Sequence, residues 1–155
     1  MLNKIFISDL NLQKEEIVLE PCDDLAVALK IPKIFFDLDK YDIKYVAEIQ
    51  LQKVLAILNQ YPTMSIDIRS HTDCRASYAY NERLSDNRAK ATRMYLIDKG
   101  VAPNRLTAKG YGESQLVNDC GCEPTNESSC SELEHQKNRR SEFIITSING
   151  KTCNE

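Results

Sequence analysis

The alternation of strand-like and helix-like segments between residues 34 and 146 most constrains how this chain can fold. At its centre, Met64, Ile66 and Ile68 alternate with polar residues, a pattern that predicts a strand with one face on the core. Strand-like and helix-like segments then follow one another along the chain, and such alternation places helices against a sheet. The sequence therefore predicts an α/β fold, a two-layer βαβαβ-type sandwich in which helices pack on a mixed sheet.

Two helices are predicted on either side of the central strand. In residues 43–61 the apolar side chains recur at helical spacing, and Pro62 ends the segment. Residues 78–99 form the second predicted helix, and Gly100 is placed to cap its carboxyl end. The other predicted elements are strands at 34–36, 105–109 and 142–146 and a short helix at 132–138.

The charge and hydropathy patterns argue against two classes of partner. The net charge is −3, with acids and bases interspersed, so the chain lacks the basic face that nucleic-acid binding requires. The same balance gives no attraction to anionic lipids. No apolar run approaches the roughly 20 residues that span a bilayer. We therefore expect no nucleic-acid partner, and any membrane attachment only through parts of the protein outside this chain.

The cysteine content indicates an oxidising compartment. Three of the six cysteines crowd into a segment rich in Gly, Pro, Ser and Asn, and an even number in such a setting favours disulfides. The rival hypothesis is a zinc site formed by Cys120, Cys122, Cys130 and His135. Because a C-x-C pair separated by seven residues from the next cysteine is an unusual zinc spacing, disulfides are favoured and no metal is predicted.

One charged residue falls on the apolar face of the second predicted helix. Advancing about 100° per residue places Arg88 among small and apolar residues, in line with Asn81 and Leu84. A buried, unpaired charge is costly, so this guanidinium requires a partner. Spacing alone favours an internal salt bridge to Asp73 or Asp67 over a carboxylate supplied by a ligand.

Five short motifs occur in an order that is typical of one family. Ser-His-Thr-Asp at 70–73 and Asn-Glu-Arg-Leu-Ser-Asp-Asn-Arg-Ala at 81–89 are similar to G-H-T-D and N-x-x-L-S-x-x-R-A. Gly-Tyr-Gly-Glu at 110–113, Asn-Arg-Arg-Ser-Glu at 138–142 and the strand-like segment 34–40 complete the set. The chain thus resembles the OmpA-like C-terminal peptidoglycan-binding domains of the OmpA, Pal and MotB type. The match spans 31–147, which leaves 1–30 as an approach segment and 148–155 as a C-terminal tail.

The resemblance implies an OmpA-like sandwich that binds peptidoglycan without catalysis, a cofactor or a metal. Members of this family bind the diaminopimelate of the stem peptide, whose terminal carbon carries an ammonium and a carboxylate. By this resemblance Asp73 takes the ammonium and Arg88 the carboxylate, so that the two charges orient one ligand carbon. The other implied binding residues are Thr72, Asn81, Leu84 and Arg139. The implied location is the periplasm, as the soluble domain of an outer-membrane-associated protein that anchors the membrane to the cell wall.

The resemblance also implies a disulfide between Cys120 and Cys130, because one subgroup carries a cysteine pair before N-R-R, although Cys122 is an open alternative to Cys120. Cys74, directly beside Asp73, is an unusual departure from the family. Two other functions remain as alternatives: a structural protein-interaction module with a vestigial pocket, and a wall-cleaving hydrolase using His71 and Asp73. Because His71 and Asp73 lack a nucleophile and a third group, catalysis is not predicted.

Overall fold

The computed structural model describes residues 4–6, 16–32, 34, 36, 40–122, 124–125 and 127–154. In chain order the elements are β1 Lys4–Phe6, β2 Glu16–Val18, α1 Leu25–Ala28, α2 Tyr45–Gln60, β3 Ser65–Ser70, α3 Tyr78–Asp98, β4 Leu106–Gly110, α4 Glu132–Asn138, β5 Ser141–Ile148 and β6 Lys151–Thr152. One turn of 3₁₀ helix, Pro103–Arg105, precedes β4. The predicted helices and the three later predicted strands are confirmed to within three residues at each end.

The main sheet has four strands in the order β4-β3-β5-β6. β3 runs parallel to β4 and antiparallel to β5, with Ile68 opposite both Ala108 and Phe143. The predicted α/β fold with a mixed sheet is therefore confirmed. β1 and β2 form a separate antiparallel pair that the sequence did not predict.

The predicted first strand differs from the structure. Of its residues 34–36, Ile34 and Phe36 are buried but lie in no strand, and Phe35 falls outside the described residues. The outer side of β5 is instead paired with β6 and, through an isolated bridge from Ile144, with Asp24. The backbone groups on this side of β5 are therefore already paired and are not available to the predicted strand.

The core forms where both long helices meet the inner face of the sheet. β3 contributes Ile66 and Ile68, and its exposure alternates along the strand as the period-2 pattern predicts. The buried residues of α2 recur at helical spacing and confirm its predicted apolar face; they are Ala47, Leu51, Val54, Ile57 and Leu58. Among the described residues, no helix is both long and apolar enough to cross a membrane.

The ends of α3 and its approach to β4 follow from local sequence. The Ser77 hydroxyl accepts a hydrogen bond from the Tyr80 N–H, which caps the helix, and Gly100 follows its end with φ +103°. Gly110, the last residue of β4, passes so close to α3 that a Cβ there would lie 2.1 Å from the Asp86 nitrogen. Glycine is therefore required where β4 meets this helix.

Residues before the predicted boundary at 30 also contact the main sheet. Asp24 Oδ1 accepts hydrogen bonds from the N–H of Ala26, in the first turn of α1, and from the N–H of Phe143 in β5. Leu19 and Leu25 are fully buried in the main core. The division into an approach segment, a domain and a tail stays a prediction, and this packing bears on where its first boundary lies.

Three disulfides cross-link the described part of the chain. Cys120 is bonded to Cys130, the pair that the family resemblance implies, and Cys122 is bonded to Cys74. A third disulfide joins Cys22 to Cys153. The three thiols of the rival zinc hypothesis are thus all engaged in sulfur–sulfur bonds, which removes them as thiolate ligands.

Candidate functional site

The site lies where the parallel strands β3 and β4 end side by side. Ser70 and Gly110 are register partners at this edge, and the loop that follows β3 carries Asp73. Two backbone hydrogen bonds fix this loop, from His71 N–H to the Arg140 carbonyl and from Thr72 N–H to the Gly112 carbonyl, each 2.9 Å. The Asp73 carboxylate is consequently held in place although it lies outside regular structure.

Asp73 is a buried carboxylate with two arginine partners. Arg75 Nη2 and Arg139 Nη1 each donate to Oδ2 at 2.7 Å, and the Arg75 backbone N–H donates to Oδ1 at 3.0 Å. Burial raises the pKa of Asp73, but the hydrogen bonds from Arg75 and Arg139 outweigh it and hold the pKa below its ordinary value. Asp73 is therefore charged at neutral pH.

Glu132, at the start of α4, joins the two arginines from the other side. Its Oε2 accepts from Arg75 Nη1 at 2.8 Å and its Oε1 from Arg139 Nη2 at 2.5 Å. We call Asp73, Arg75, Glu132 and Arg139 the Asp73 ion cluster. Of these four residues, only Asp73 and Arg139 are among the predicted binding residues. Arg75 was not predicted, although its position two residues after Asp73 could have indicated it, whereas Glu132 is brought in only by tertiary structure.

The α3 residues predicted for the site line up along one helix face. Asn81 is buried, and its Nδ2 donates to the Asp73 carbonyl at 3.2 Å and to Glu113 Oε2 at 2.5 Å. Leu84, one turn further on, is half-buried. Thr72 is buried as well, and in the part of the chain that the structure describes its hydroxyl has no hydrogen-bond partner. The structure thus brings Asn81 directly onto the Asp73 loop, together with Glu113, which is not among the predicted site residues.

Arg88 lies two turns along α3 from Asn81 and is only 2% exposed. Its Nε donates to the Lys40 carbonyl at 2.9 Å, and its guanidinium carbon lies 5.1 Å from the centre of the Phe36 ring. The packed position that the helical wheel predicts for this arginine is therefore observed. The quadrupole of the aromatic ring attracts the guanidinium and so offsets part of the cost of burying its charge.

The two acids considered for an internal salt bridge with Arg88 have other arginine partners. Asp67 Oδ2 accepts from Arg69 Nε at 2.9 Å, on the strand β3. Asp73 is held within its ion cluster by Arg75 and Arg139. These contacts show how each acid is neutralised without a contribution from Arg88. The assignment of Arg88 to a ligand carboxylate stays a prediction.

His71 belongs to a second ion network, and Cys74 is not a free thiol. His71 Nε2 lies 3.2 Å from Glu142 Oε2, and its ring stacks on Tyr111 with centroids 5.5 Å apart. Glu142 Oε1 also accepts from Arg140 Nε at 2.9 Å. Because Cys74 is in a disulfide, the loop around Asp73 offers no thiol nucleophile to a hydrolase of the kind considered above.

The His71–Glu142 network predicts a defined pH dependence of stability. The hydrogen bond between His71 and Glu142 lowers the pKa of Glu142 to about 2, although burial acts in the opposite direction. A folded-state pKa below the unfolded one stabilises the protein above about pH 4.5, and this contribution is lost as pH falls toward 2. Between pH 5 and pH 2, the free energy of unfolding of Glu142→Gln should therefore fall by about 2 kcal/mol less than that of the wild type. Unfolding curves at each pH measure this difference. Parallel pH profiles for the two proteins would contradict the assignment.

Comparisons with known proteins agree with this geometry. The model of the OmpA family matches residues 35–129. The crystal structure of the peptidoglycan-associated lipoprotein from Burkholderia pseudomallei superposes with a TM-score of 0.63 at 26% identity, over 73% of this chain and 88% of that one. The match supports both the fold and the OmpA-like form of the sandwich.

Two relatives match by sequence over part of their length. The peptidoglycan-associated lipoprotein of Brucella melitensis is 41% identical over 88 residues, which are 57% of this chain and 52% of the relative. The photosystem I P700 chlorophyll a apoprotein A2 of Gloeobacter violaceus is 38% identical over 121 residues, 77% of this chain but 14% of that protein. The chain therefore spans about half or less of the length of these two relatives.

Proposed function

Because the chain belongs to the OmpA family, we propose that it binds peptidoglycan non-covalently through the diaminopimelate of the stem peptide. The observation that carries this proposal is a charged, buried carboxylate, Asp73, on a loop that the α3 face bearing Arg88 contacts through Asn81. A carboxylate and a guanidinium together suit a zwitterionic carbon, because each binds one end of it. Two relatives of this chain are named peptidoglycan-associated lipoproteins, which supports the same ligand class.

In this proposal the ligand ammonium binds Asp73 and the carboxylate on the same carbon binds Arg88. The planar guanidinium of Arg88 suits a carboxylate because it offers two parallel N–H groups. Thr72 contributes its buried hydroxyl, Asn81 holds the loop in place, and Leu84 covers the apolar part of the ligand. Arg139 keeps the Asp73 carboxylate ionised and oriented.

The proposed setting is the periplasm, with the domain tying an outer membrane to the cell wall. Three disulfides are typical of an oxidising compartment such as the periplasm. The membrane attachment is assigned to parts of the protein outside this chain. In this role the domain is a binding module without catalysis, a cofactor or a metal.

The proposal is tested by titrating the protein with two stem peptides that differ at the third residue. The peptide with diaminopimelate should bind, whereas the peptide with lysine, which lacks the second carboxylate, should bind at least tenfold more weakly. Incubation with purified peptidoglycan should release no soluble muropeptides. Equal binding of the two peptides would contradict the proposed ligand, and released fragments that disappear in His71→Ala would show a hydrolase instead.

A further inference from the structure

The Asp73 carboxylate is already saturated with hydrogen bonds in the free protein. A carboxylate accepts about four hydrogen bonds, two at each oxygen. Oδ1 receives the backbone N–H of Arg75 at 3.0 Å and Arg75 Nε at 3.3 Å, while Oδ2 receives Arg75 Nη2 and Arg139 Nη1, both at 2.7 Å. A ligand ammonium therefore needs at least one of these donors to leave before it reaches Asp73.

The two arginines differ in how readily they leave. The side chain of Arg139 is 13% exposed, whereas that of Arg75 is 40% exposed. Arg75 supplies two side-chain donors to Asp73, so its withdrawal frees a position on each carboxylate oxygen. Movement of Arg75 therefore exposes less buried side chain than movement of Arg139 would. It also frees two acceptor positions on the Asp73 carboxylate, whereas movement of Arg139 would free one.

Glu132 can keep an ion pair with the Arg75 guanidinium after Arg75 leaves Asp73. Arg75 Nη1 already donates to Glu132 Oε2 at 2.8 Å while Arg75 Nη2 contacts Asp73. Glu132 is 64% exposed, so a guanidinium held by this residue alone keeps one ion pair and regains water around its other N–H groups. Arg75 can thus exchange Asp73 for solvent without becoming an isolated charge.

We propose that Arg75 is an internal occupant of the ammonium position on Asp73, and that a ligand ammonium displaces it onto Glu132. This inference rests on the proposed function and adds a specificity-determining residue to it. Because Arg75 occupies the Asp73 carboxylate, a ligand binds there only if it carries a cation that can replace the guanidinium. A ligand that lacks a cation at this point leaves Arg75 in place, and so gains nothing from Asp73.

The experiment compares two peptides that differ only in the amine at this position. One carries diaminopimelate, and in the other that amine is replaced by hydrogen. Arg75→Ala should bind the amine-bearing peptide about three- to tenfold more tightly than wild type, because no internal cation has to be displaced. Its affinity for the peptide without the amine should not change. Weaker or unchanged binding of the amine-bearing peptide by folded Arg75→Ala would overturn the proposal.

Two further variants separate this effect from a general change of charge. Lys90→Ala removes one positive charge from an exposed ion pair with Asp86, outside the Asp73 ion cluster, and should bind both peptides as wild type does. Glu132→Gln removes the alternative partner of Arg75 and should weaken binding of the amine-bearing peptide about two- to fivefold. Tighter binding by Lys90→Ala equal to that by Arg75→Ala would assign the effect to net charge and overturn the proposal.

A measurement on the protein without ligand tests whether Arg75 occupies the Asp73 carboxylate. Burial raises the pKa of Asp73, and Arg75 supplies the largest opposing hydrogen bond, so its loss should raise the pKa of Asp73 measured by NMR titration. An unchanged pKa would show that Arg75 does not occupy the carboxylate. If the pKa rises but neither peptide binds any of the proteins, the proposed function is wrong, and displacement by a ligand is wrong with it.

Discussion

Replacing Arg88 with alanine should weaken binding of a diaminopimelate stem peptide by about ten- to a hundredfold, and so should replacing Asp73. Each substitution removes charge-assisted hydrogen bonds that contribute about 1.5–3 kcal/mol to binding. Because both groups hold one ligand carbon, the double variant should lose less than the sum of the two single losses. Titration calorimetry of the three variants against one peptide measures this directly.

Stability must be controlled, because both side chains are buried. Asp73→Ala leaves Arg75 and Arg139 without their shared carboxylate, and removing one partner of a buried pair is costly. Asp73→Asn keeps the shape of the side chain, and Arg88→Lys keeps the charge but loses the planar fork. Both conservative variants should fold, as their melting curves would show, and still bind at least tenfold more weakly. Wild-type affinity in folded Arg88→Lys and Arg88→Ala would exclude Arg88 from the site.

The elements that could be predicted from the sequence are those whose pattern is local. The helix α2 and the strand β3 each carry enough residues for their periodicity to distinguish one from the other. The strands β1, β2 and β6 have three residues or fewer, too few to show a period. Asn149 and Gly150 nevertheless form an Asn-Gly turn with φ of +48° and +78°, the usual signal for the hairpin that joins β5 to β6.

In the site, too, the residues that could be predicted are those in short contiguous motifs, whereas their distant partners could not be predicted. The motifs around Asp73 and Arg88 are contiguous in sequence, so the resemblance located them without a structure. The partners that set the charge state of Asp73 are not contiguous, since Arg75 meets Glu132 across 57 residues of sequence. No spacing rule relates an arginine on one loop to a glutamate at the start of a distant helix. The same holds for the disulfide between Cys74 and Cys122, 48 residues apart.

The disulfide between Cys22 and Cys153 should contribute most to stability among the three. It joins residues 131 apart, whereas Cys120 and Cys130 are separated by 10. A cross-link restricts the unfolded chain more when it closes a longer loop, by about 4–5 kcal/mol for the longer of these loops and about 3 kcal/mol for the shorter. Cys22→Ala/Cys153→Ala should therefore lower the free energy of unfolding more than Cys120→Ala/Cys130→Ala does.

Loss of the Cys22–Cys153 disulfide should lower stability without affecting ligand binding. Backbone hydrogen bonds from Cys22 N–H to the Ile145 carbonyl and from Ile145 N–H to the Asp23 carbonyl dock the N-terminal segment on β5. The disulfide ties Cys22 to Cys153, whose own N–H donates to the Thr146 carbonyl of β5. Neither Cys22 nor Cys153 belongs to the Asp73 ion cluster. The variant should consequently unfold at a lower denaturant concentration yet bind the stem peptide with wild-type affinity while folded. An equal loss of stability in the two double variants would contradict the loop-length argument, and a parallel loss of affinity would show that the N-terminal segment supports the site.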